Sequence, residues 1–355
     1  MFDFRERRRI TSLPRTTKKG NCFLGAHAHS AGLFCFALSH EMVTICSLPE
    51  NVLETVFLFL SAADLIHCSR VCRYWKKIAE RKRLWKNVDL RPSKMPFKWL
   101  WLLVKQYLGY NLKNLQLEGQ LKLQLEELTR DMLMNLKQRC PNLKQLCIST
   151  MDLNCIAYSI LPPSLETLEL SFCVLHPDWF SDTGIPEDSF KPPRIHHLIV
   201  KNMKDFSDKH LVHICSRVSL STLIISGKCS VTDYGIKMSA AALSDVTHLK
   251  LTGYNVTEDS LSLILGHIQK VLVLELSFFR FMYPDSLSCL SGHKTLCYLC
   301  LDYCLNLSYE RLVSLCSTLP ALLSLDLQRS SFSSEELQII RAALPKCTVL
   351  IPPNR

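Results

Sequence analysis

The apolar residues of this chain fall into one recurring pattern: Leu, two residues, Leu, one residue, Leu, with Ile or Val admitted in place of Leu. It is found nine times: "LKNLQL" from residue 112, "LKQLCI" from 143, "LETLEL" from 165, "IHHLIV" from 195, "LSTLII" from 220, "VTHLKL" from 246, "VLVLEL" from 271, "LCYLCL" from 296 and "LLSLDL" from 322. Successive starts lie 22 to 31 residues apart, settling to 25 or 26 from residue 195 onward. The alternating end of each copy predicts a short strand, with its leucines on one face and the residues between them on the other.

Between the strands the period changes. "TEDSLSLILGHI", "SYERLVSLCSTL" and "SSEELQIIRAAL" carry apolar residues at helical spacing and open with Ser or Thr followed by acids, which cap free amides and suit the helix dipole. Ser333 and Glu336 have capping-box spacing. Two connections depart from this rule. The one after 143 is short, and the one after 165 holds "HPDWFSDTGIPEDSFKPP", whose four prolines predict a loop. "CTVLIPPNR" at the end reads as a last strand and cap. Period and signature are those of leucine-rich repeats, in which each strand and helix bury their leucines only against neighbouring copies. Cys173 in "LELSFC" and Cys304 in "LCLDYC" stand where the chain turns inward after a strand, which resembles the cysteine-containing subtype of these repeats.

Ahead of the repeats, residues 47 to 90 read "SLPENVLETVFLFLSAADLIHCSRVCRYWKKIAERKRLWKNVDL". Ser47, Pro49 and Glu50 predict a helix start, and Leu53, Val56, Phe57 and Leu60 follow at helical spacing. Ser61 and Asp64 repeat the start before Leu65, Cys68, Val71 and Cys72, and a third helix carries Trp75 and Ile78 toward Trp85. So small a unit buries little on its own, yet its helices are apolar on more than one side. A partner is expected to cover them, while Trp85 and the strand "WKNVDL" dock onto the first repeat.

L-P-x-x-x-L at Leu48, Pro49 and Leu53, D-L at Asp64 and Leu65, V-C-x-x-W at Val71, Cys72 and Trp75, and a final Leu84-Trp85 together resemble the F-box motif. With the repeats, the chain is similar to the F-box and leucine-rich-repeat family of substrate receptors for cullin-RING (SCF) ubiquitin ligases. The resemblance implies an α/β fold: an N-terminal three-helix F-box, then a solenoid with parallel strands on the concave side and helices and loops on the convex side. It implies that a Skp-type adaptor docks on Leu48, Pro49, Leu53, Val56, Leu60, Leu65, Val71 and Trp75, and that the repeats hold a protein target. On this reading the chain is a non-catalytic receptor. The alternative is a leucine-rich-repeat scaffold or inhibitor that binds a partner without ubiquitylation. The expected organisation is a disordered basic extension over 1–41, with a targeting leader as the lesser alternative, the F-box and its join over 42–90, a linker helix over 91–111, and the solenoid with its cap over 112–355.

Charge sharpens this picture. The net +10 divides into +4 over residues 1–41, −3 over 42–69, +10 over 70–105 and −1 over 106–355, so the repeats bind without a general basic field. "RVCRYWKKIAERKRLW", residues 70–85, packs seven Lys and Arg around two tryptophans and raises nucleic-acid binding. The preferred reading is the solvated side of a helix whose apolar side is occupied. Most of the seventeen cysteines sit in apolar patterns such as "LVHICS", as small reduced hydrophobes of a cytoplasmic or nuclear protein. The apolar run Cys22–Leu38 is too short to span a bilayer, and no membrane is expected.

The residues between the strand leucines are the candidate target-binding set. His197, Lys201, His248 and Lys250 predict a central basic spot, with Glu275, Asp302 and Asp326 an acidic one toward the C-terminal end beside Tyr298. Aromatic Phe278, Phe279 and Tyr303 lie nearby, and buried aromatics favour the later repeats as the contact. Cys297 and Cys300 have zinc-like spacing, but residues three apart on a strand face opposite ways, so no metal is expected. No phosphate loop, nucleophile elbow or His-Glu-x-x-His is present, and neither catalysis nor a cofactor is expected.

Overall fold

One apolar residue from each strand lines up across the whole sheet: Val88, Leu115, Leu146, Leu168, Leu198, Leu223, Leu249, Leu274, Leu299, Leu325 and Val349, each partnered with the next. All are buried. The strands that carry them are β1 (Asn87–Asp89), β2 (Asn114–Glu118), β3 (Gln145–Ser149), β4 (Thr167–Ser171), β5 (His197–Lys201), β6 (Thr222–Ser226), β7 (His248–Thr252), β8 (Val273–Ser277), β9 (Tyr298–Asp302), β10 (Ser324–Asp326) and β11 (Thr348–Leu350). They pair in sequence order and all in parallel. The nine repeats are extended at either end by the strands read in "WKNVDL" and "CTVLIPPNR".

The computed structural model describes residue 45 and residues 48–91, 97–119, 128–181, 192–253, 255–279, 287–304 and 307–352. The basic extension expected at 1–41 and the Ser47 cap lie outside the described residues. Leu48–Arg355 is one compact unit, so the F-box-like helices and the repeats share a core.

Three helices begin that unit: α1 (Glu50–Phe57), α2 (Ala62–Cys68) and α3 (Arg73–Ala79). Pro49 is the N-cap of α1 rather than a residue of its first turn, and it offers no side-chain bond. Ser61 caps α2 as expected, accepting from the Asp64 N–H at 3.2 Å and donating to its carboxylate at 2.7 Å. The Cys72 Sγ accepts from the Trp75 N–H at 3.4 Å and caps α3. Leu53, Phe57, Leu65, Ile78 and Ala79 close the space between the helices, and Phe57 meets Trp75 edge to face at 5.4 Å.

Convex connections follow the sequence signals. α4 (Phe97–Gln106) and α5 (Arg130–Arg139) precede β2 and β3, and α6 (Asp208–Cys215), α7 (Asp233–Ser239), α8 (Glu258–His267), α9 (Tyr309–Ser317) and α10 (Ser334–Ala343) cover the later repeats. Ser333 and Glu336 form the reciprocal capping box. Among the described residues only a 3-10 turn (Tyr158–Ile160) joins β3 to β4, and no helix joins β4 to β5. Aromatic rings fill that space instead. Tyr158, Trp179 and Phe180 pack at 4.8 to 5.5 Å, and Phe180 continues to Phe206 at 6.3 Å.

Six strands, β3 to β6, β8 and β9, end in the same corner. Thr150, Phe172, Asn202, Gly227, Phe278 and Tyr303 directly follow a strand and have φ between 52° and 73°. In five of them the N–H reaches a backbone carbonyl of the next repeat, for example Phe172 to Lys201 at 3.0 Å and Phe278 to Asp302 at 2.9 Å. The next inward position holds Cys173 and Cys304, whose thiols donate back to the Ile148 and Leu276 carbonyls. That bond explains why the sequence places Cys there.

Candidate functional site

Two surfaces emerge from this frame. The first is the outer side of the F-box-like helices. Of the eight residues expected there, Val56 and Val71 are exposed, Val71 by 62%, and Pro49 is exposed at the head of α1. Leu48, Leu60 and Trp75 are half-buried; the Leu48 carbonyl accepts from the Tyr74 hydroxyl at 2.8 Å, and the Trp75 indole nitrogen is buried without a hydrogen-bond partner. Leu53 and Leu65 depart from the expectation. They are 0% and 3% exposed, because both point between the helices and form the chain's own core. The exposed apolar surface lies on Val52, Val56, Leu58, Phe59 and Val71, with Phe59 exposed by 87%. Val52, Leu58 and Phe59 escaped the sequence reading; Leu58 and Phe59 belong to the apolar run "VFLFL", which continues past Phe57, the last residue of α1.

The basic stretch that follows is largely engaged. Glu50 pairs with Lys77 at 2.9 Å and with Arg81, Glu54 pairs with Arg81 at 2.5 Å, and Lys76 reaches Glu80 at 3.7 Å. Lys82 donates to the Tyr107 carbonyl at 3.0 Å. These contacts fasten α3 to α1 and to the first repeat. They leave less free positive charge than the sequence count suggests for a phosphate backbone.

The second surface is the open face of the sheet. His197, Lys201, His248, Lys250, Glu275, Tyr298, Asp302 and Asp326 all lie on it, half-buried, on β5 and β7 to β10. The basic spot expected there does not form, and of the acidic one Asp302 and Asp326 come together while Glu275 is drawn away to the basic residues. Glu275 accepts from His248 Nε2 at 3.0 Å and Lys250 Nζ at 2.5 Å, and Lys201 is held by Glu169 at 2.7 Å. The cause is register: Lys250 and Glu275 are direct cross-strand partners, so opposite charges meet side by side. His248 and then Lys250 hold the Glu275 carboxyl down at about 2, against the opposing effect of burial. Burial lowers the pKa of His197, whose Nδ1 lies 2.9 Å from the Thr222 hydroxyl.

Further along, Tyr298 donates to Asp326 at 2.9 Å. Cys300 is buried between the strands, and its thiol, Asp302 and Asp326 bring three potential ligand atoms within 4.8 Å of one another. Cys297 is not one of them, since its Sγ donates to the Thr295 carbonyl at 3.2 Å. Burial, with Asp302 and Asp326 adding to it, pushes the Cys300 thiol up to about 12. The Cys300 sulfur in this group is therefore held as S–H. Phe279 is buried, whereas Phe278 stacks on the exposed Tyr303.

The F-box-like family model matches residues 45–91. F-box/LRR-repeat protein 12 of Bos taurus and that of Homo sapiens are each 31% identical to this chain over 318 residues, covering 87% of this chain and 96% of theirs. The Mus musculus protein of that name is 30% identical over the same length. A chain in the crystal structure of the yeast Rad7 and Elc1 complex shares the fold, with a TM-score of 0.52 at 19% identity over 85% of each chain. With an F-box-like match at its head and identity that runs through the repeats to nearly the full length of those relatives, the chain belongs to the F-box/LRR-repeat family.

Proposed function

We propose that this chain is the substrate-recognition subunit of an SCF (Skp-cullin-F-box) ubiquitin ligase. The observation that carries the reading is the unpartnered apolar surface on Val52, Val56, Leu58, Phe59 and Val71, within the segment that matches the F-box-like model. Exposed apolar residues clustered in this way mark an interaction site, and a Skp-type adaptor is the partner that the family implies. The repeats form a rigid platform continuous with those helices, so a target held on the open face of the sheet is kept at a fixed distance from the adaptor. Proximity then raises the effective concentration of target lysines at the charged conjugating enzyme, which supplies the chemistry. The chain itself acts as a non-catalytic receptor.

Its thiols support a reducing compartment, cytoplasm or nucleus. Burial pushes Cys173 up to about 11, and Cys215, Cys304 and Cys316 up to about 12, which keeps them as inert packing groups.

The test is co-purification. Phe59→Ser combined with Val71→Ser removes exposed apolar area and spares the core, so adaptor and cullin are expected to be lost from the full-length chain while its melting curve stays unchanged. Cullin retained by that variant would overturn the assignment. A scaffold or inhibitor that never promotes transfer is separated by reconstitution: ubiquitylation of a bound target in the presence of adaptor, cullin and conjugating enzyme excludes it.

A further inference from the structure

At the edge of the sheet where the strands begin, three lysines stand on successive rungs. Lys86, Lys113 and Lys144 directly precede β1, β2 and β3. The Lys86 carbonyl accepts from the Lys113 N–H, and the Lys113 carbonyl from the Lys144 N–H, each at 2.8 Å. Neighbouring strands lie about 4.8 Å apart, so the row is about 10 Å long. Lys86 and Lys113 are exposed, and neither has an ion pair or side-chain hydrogen bond to another described residue. Compensation begins only at the third rung, where Lys144 pairs with Glu166, the residue before β4.

The fold does not ask for this arrangement. The same place before later strands holds Ser221, Thr247, Leu272, Cys297 and Leu323, so it accepts polar and apolar side chains alike. Like charges side by side across a sheet destabilise it. Elsewhere neighbouring strands set opposite charges together, Lys201 with Glu169 and Lys250 with Glu275. Next to the row on the open face stand Asn87, Asn114 and Gln145, of which Asn114 donates to Asn87 at 2.8 Å. These amides supply further hydrogen-bond donors and no acid to relieve the lysines. The basic residues before the row are engaged, Lys77 and Arg81 with Glu50 and Glu54, and Lys82 with the Tyr107 carbonyl. What is left uncompensated is a short row, not a field.

We propose that Lys86, Lys113 and Lys144 form a docking row for an acidic segment of the target protein, whose side-chain carboxylates lie across the start of β1 to β3. The proposal rests on the reading of the repeats as the target-holding part, and it adds the sign of the target's charge and the place where that charge sits. Charge complementarity selects this occupant. A row of about 10 Å matches three to four residues of extended chain, on which alternate carboxylates face the same way about 7 Å apart. A nucleic-acid duplex fits it poorly. It carries a negative charge about every 1.7 Å along its whole length, and past Lys144 this edge meets it with Glu166.

Anisotropy titration of the full-length chain with rhodamine-labelled Gly-Glu-Gly-Glu-Gly-Glu-Gly tests it against the glutamine peptide of the same length. Glutamine keeps the shape and removes the charge. At about 50 mM salt the glutamate peptide is expected to bind roughly tenfold more tightly, and to weaken several-fold by about 200 mM. Lys86→Gln and Lys113→Gln are each expected to weaken it about threefold and together about tenfold, with no lower melting temperature, since both side chains are exposed. Lys237→Gln, an exposed lysine on α7, should leave binding unchanged.

Equal binding of the two peptides, or glutamate binding unaltered in the double variant, overturns the proposal. So does a thymidine oligonucleotide that binds more tightly than the glutamate peptide and is lost in the same double variant, since that would make the row a nucleic-acid contact. The double variant is expected to keep adaptor and cullin on co-purification; their loss would place the row at the adaptor and overturn the proposal too. Peptide binding by a wild-type chain that recovers no cullin supports the docking row and counts only against the ligase.

Discussion

Trp85 lies against Tyr107 with ring centroids 4.6 Å apart, and this contact ties the end of the F-box-like segment to the chain just after α4. The indole N–H donates to the Ala79 carbonyl at the end of α3 at 2.7 Å, and the Tyr107 hydroxyl meets Ser69 after α2 at 3.2 Å. Two rings therefore hold α2, α3 and the first repeat in one arrangement, from which β1 enters the sheet.

Replacing that indole should disturb both halves of the molecule. Trp85→Ala is expected to cost about 3 to 5 kcal/mol, the range for emptying a fully buried aromatic site. Trp85→Phe keeps a ring and loses the bond to Ala79, at about 1 kcal/mol. Denaturant unfolding followed by circular dichroism checks both. An alanine variant that unfolds at the wild-type midpoint would show that the joint lies elsewhere.

Two leucines and a valine that the sequence groups together should behave differently. Leu53→Ala and Leu65→Ala remove buried side chains and are expected to cost about 2 to 5 kcal/mol each. Val71→Ala, on the exposed side, should stay within about 0.5 kcal/mol and lower adaptor affinity instead. Thermal melts and adaptor titrations on the three variants separate packing from binding. Equal destabilisation by all three would contradict the assignment of sides.

The strands were legible in the sequence because a solenoid repeats one local rule. The L-x-x-L-x-L spacing sets both the strand and the face it buries, and even the short end strands β1 and β11 carry enough of the rule to be read. Capping at Ser61 and Ser333 was legible for the same reason, being settled within three residues. What escaped depends on how neighbours meet. Helical spacing places Leu53 and Val56 on one stripe, yet α2 and α3 cover only the first. The ion pair of Lys250 with Glu275 was visible in principle, since both occupy the middle position of adjacent repeats and must face each other across β7 and β8. Composition by region concealed it, because it sorts charges by sign rather than by register.

That ion pair should make stability depend on acid. The folded-state pKa of Glu275 is depressed from 4.5 to about 2, so its contribution is fully present above pH 4.5 and is lost as pH falls toward 2. The sign is that of an unfolded state that binds the proton more readily than the folded one. Glu275→Gln should cost about 2 kcal/mol at neutral pH, the range for hydrogen bonds to a charged group, and the difference should shrink between pH 4.5 and 2. Denaturation midpoints across that window test it. A difference independent of pH would mean that His248 and Lys250 do not hold the carboxylate.

On the convex side the helices are chained by their first acids. Asp208 opens α6 and accepts from the Thr232 N–H and hydroxyl, both at 2.6 Å; Asp233 opens α7 and accepts from Thr257 in the same way at 2.7 and 2.8 Å. Each acid thus fixes the N-cap of the next helix. This needs close approach, and Gly235 supplies it: a Cβ there would lie 2.9 Å from the Asp208 Cα. Burial opposes ionisation of Asp233, but the Thr257 amide and the Ser260 and Thr257 hydroxyls outweigh it and lower its pKa, so its contribution too is present above the unfolded value and lost in acid. Asp233→Ala leaves two donors of Thr257 without their acceptor and is expected to cost about 1 to 2 kcal/mol. Gly235→Ala should also destabilise, by about 1 to 3 kcal/mol, because the clash with backbone exceeds the helix-propensity gain of about 1 kcal/mol. Hydrogen exchange distinguishes this chain of caps from a general loss of packing. Protection should fall first at the start of α8 in Asp233→Ala and around α6 and α7 in Gly235→Ala, with the F-box-like helices unchanged. A uniform loss of protection in either variant would show that the convex acids do not act repeat by repeat.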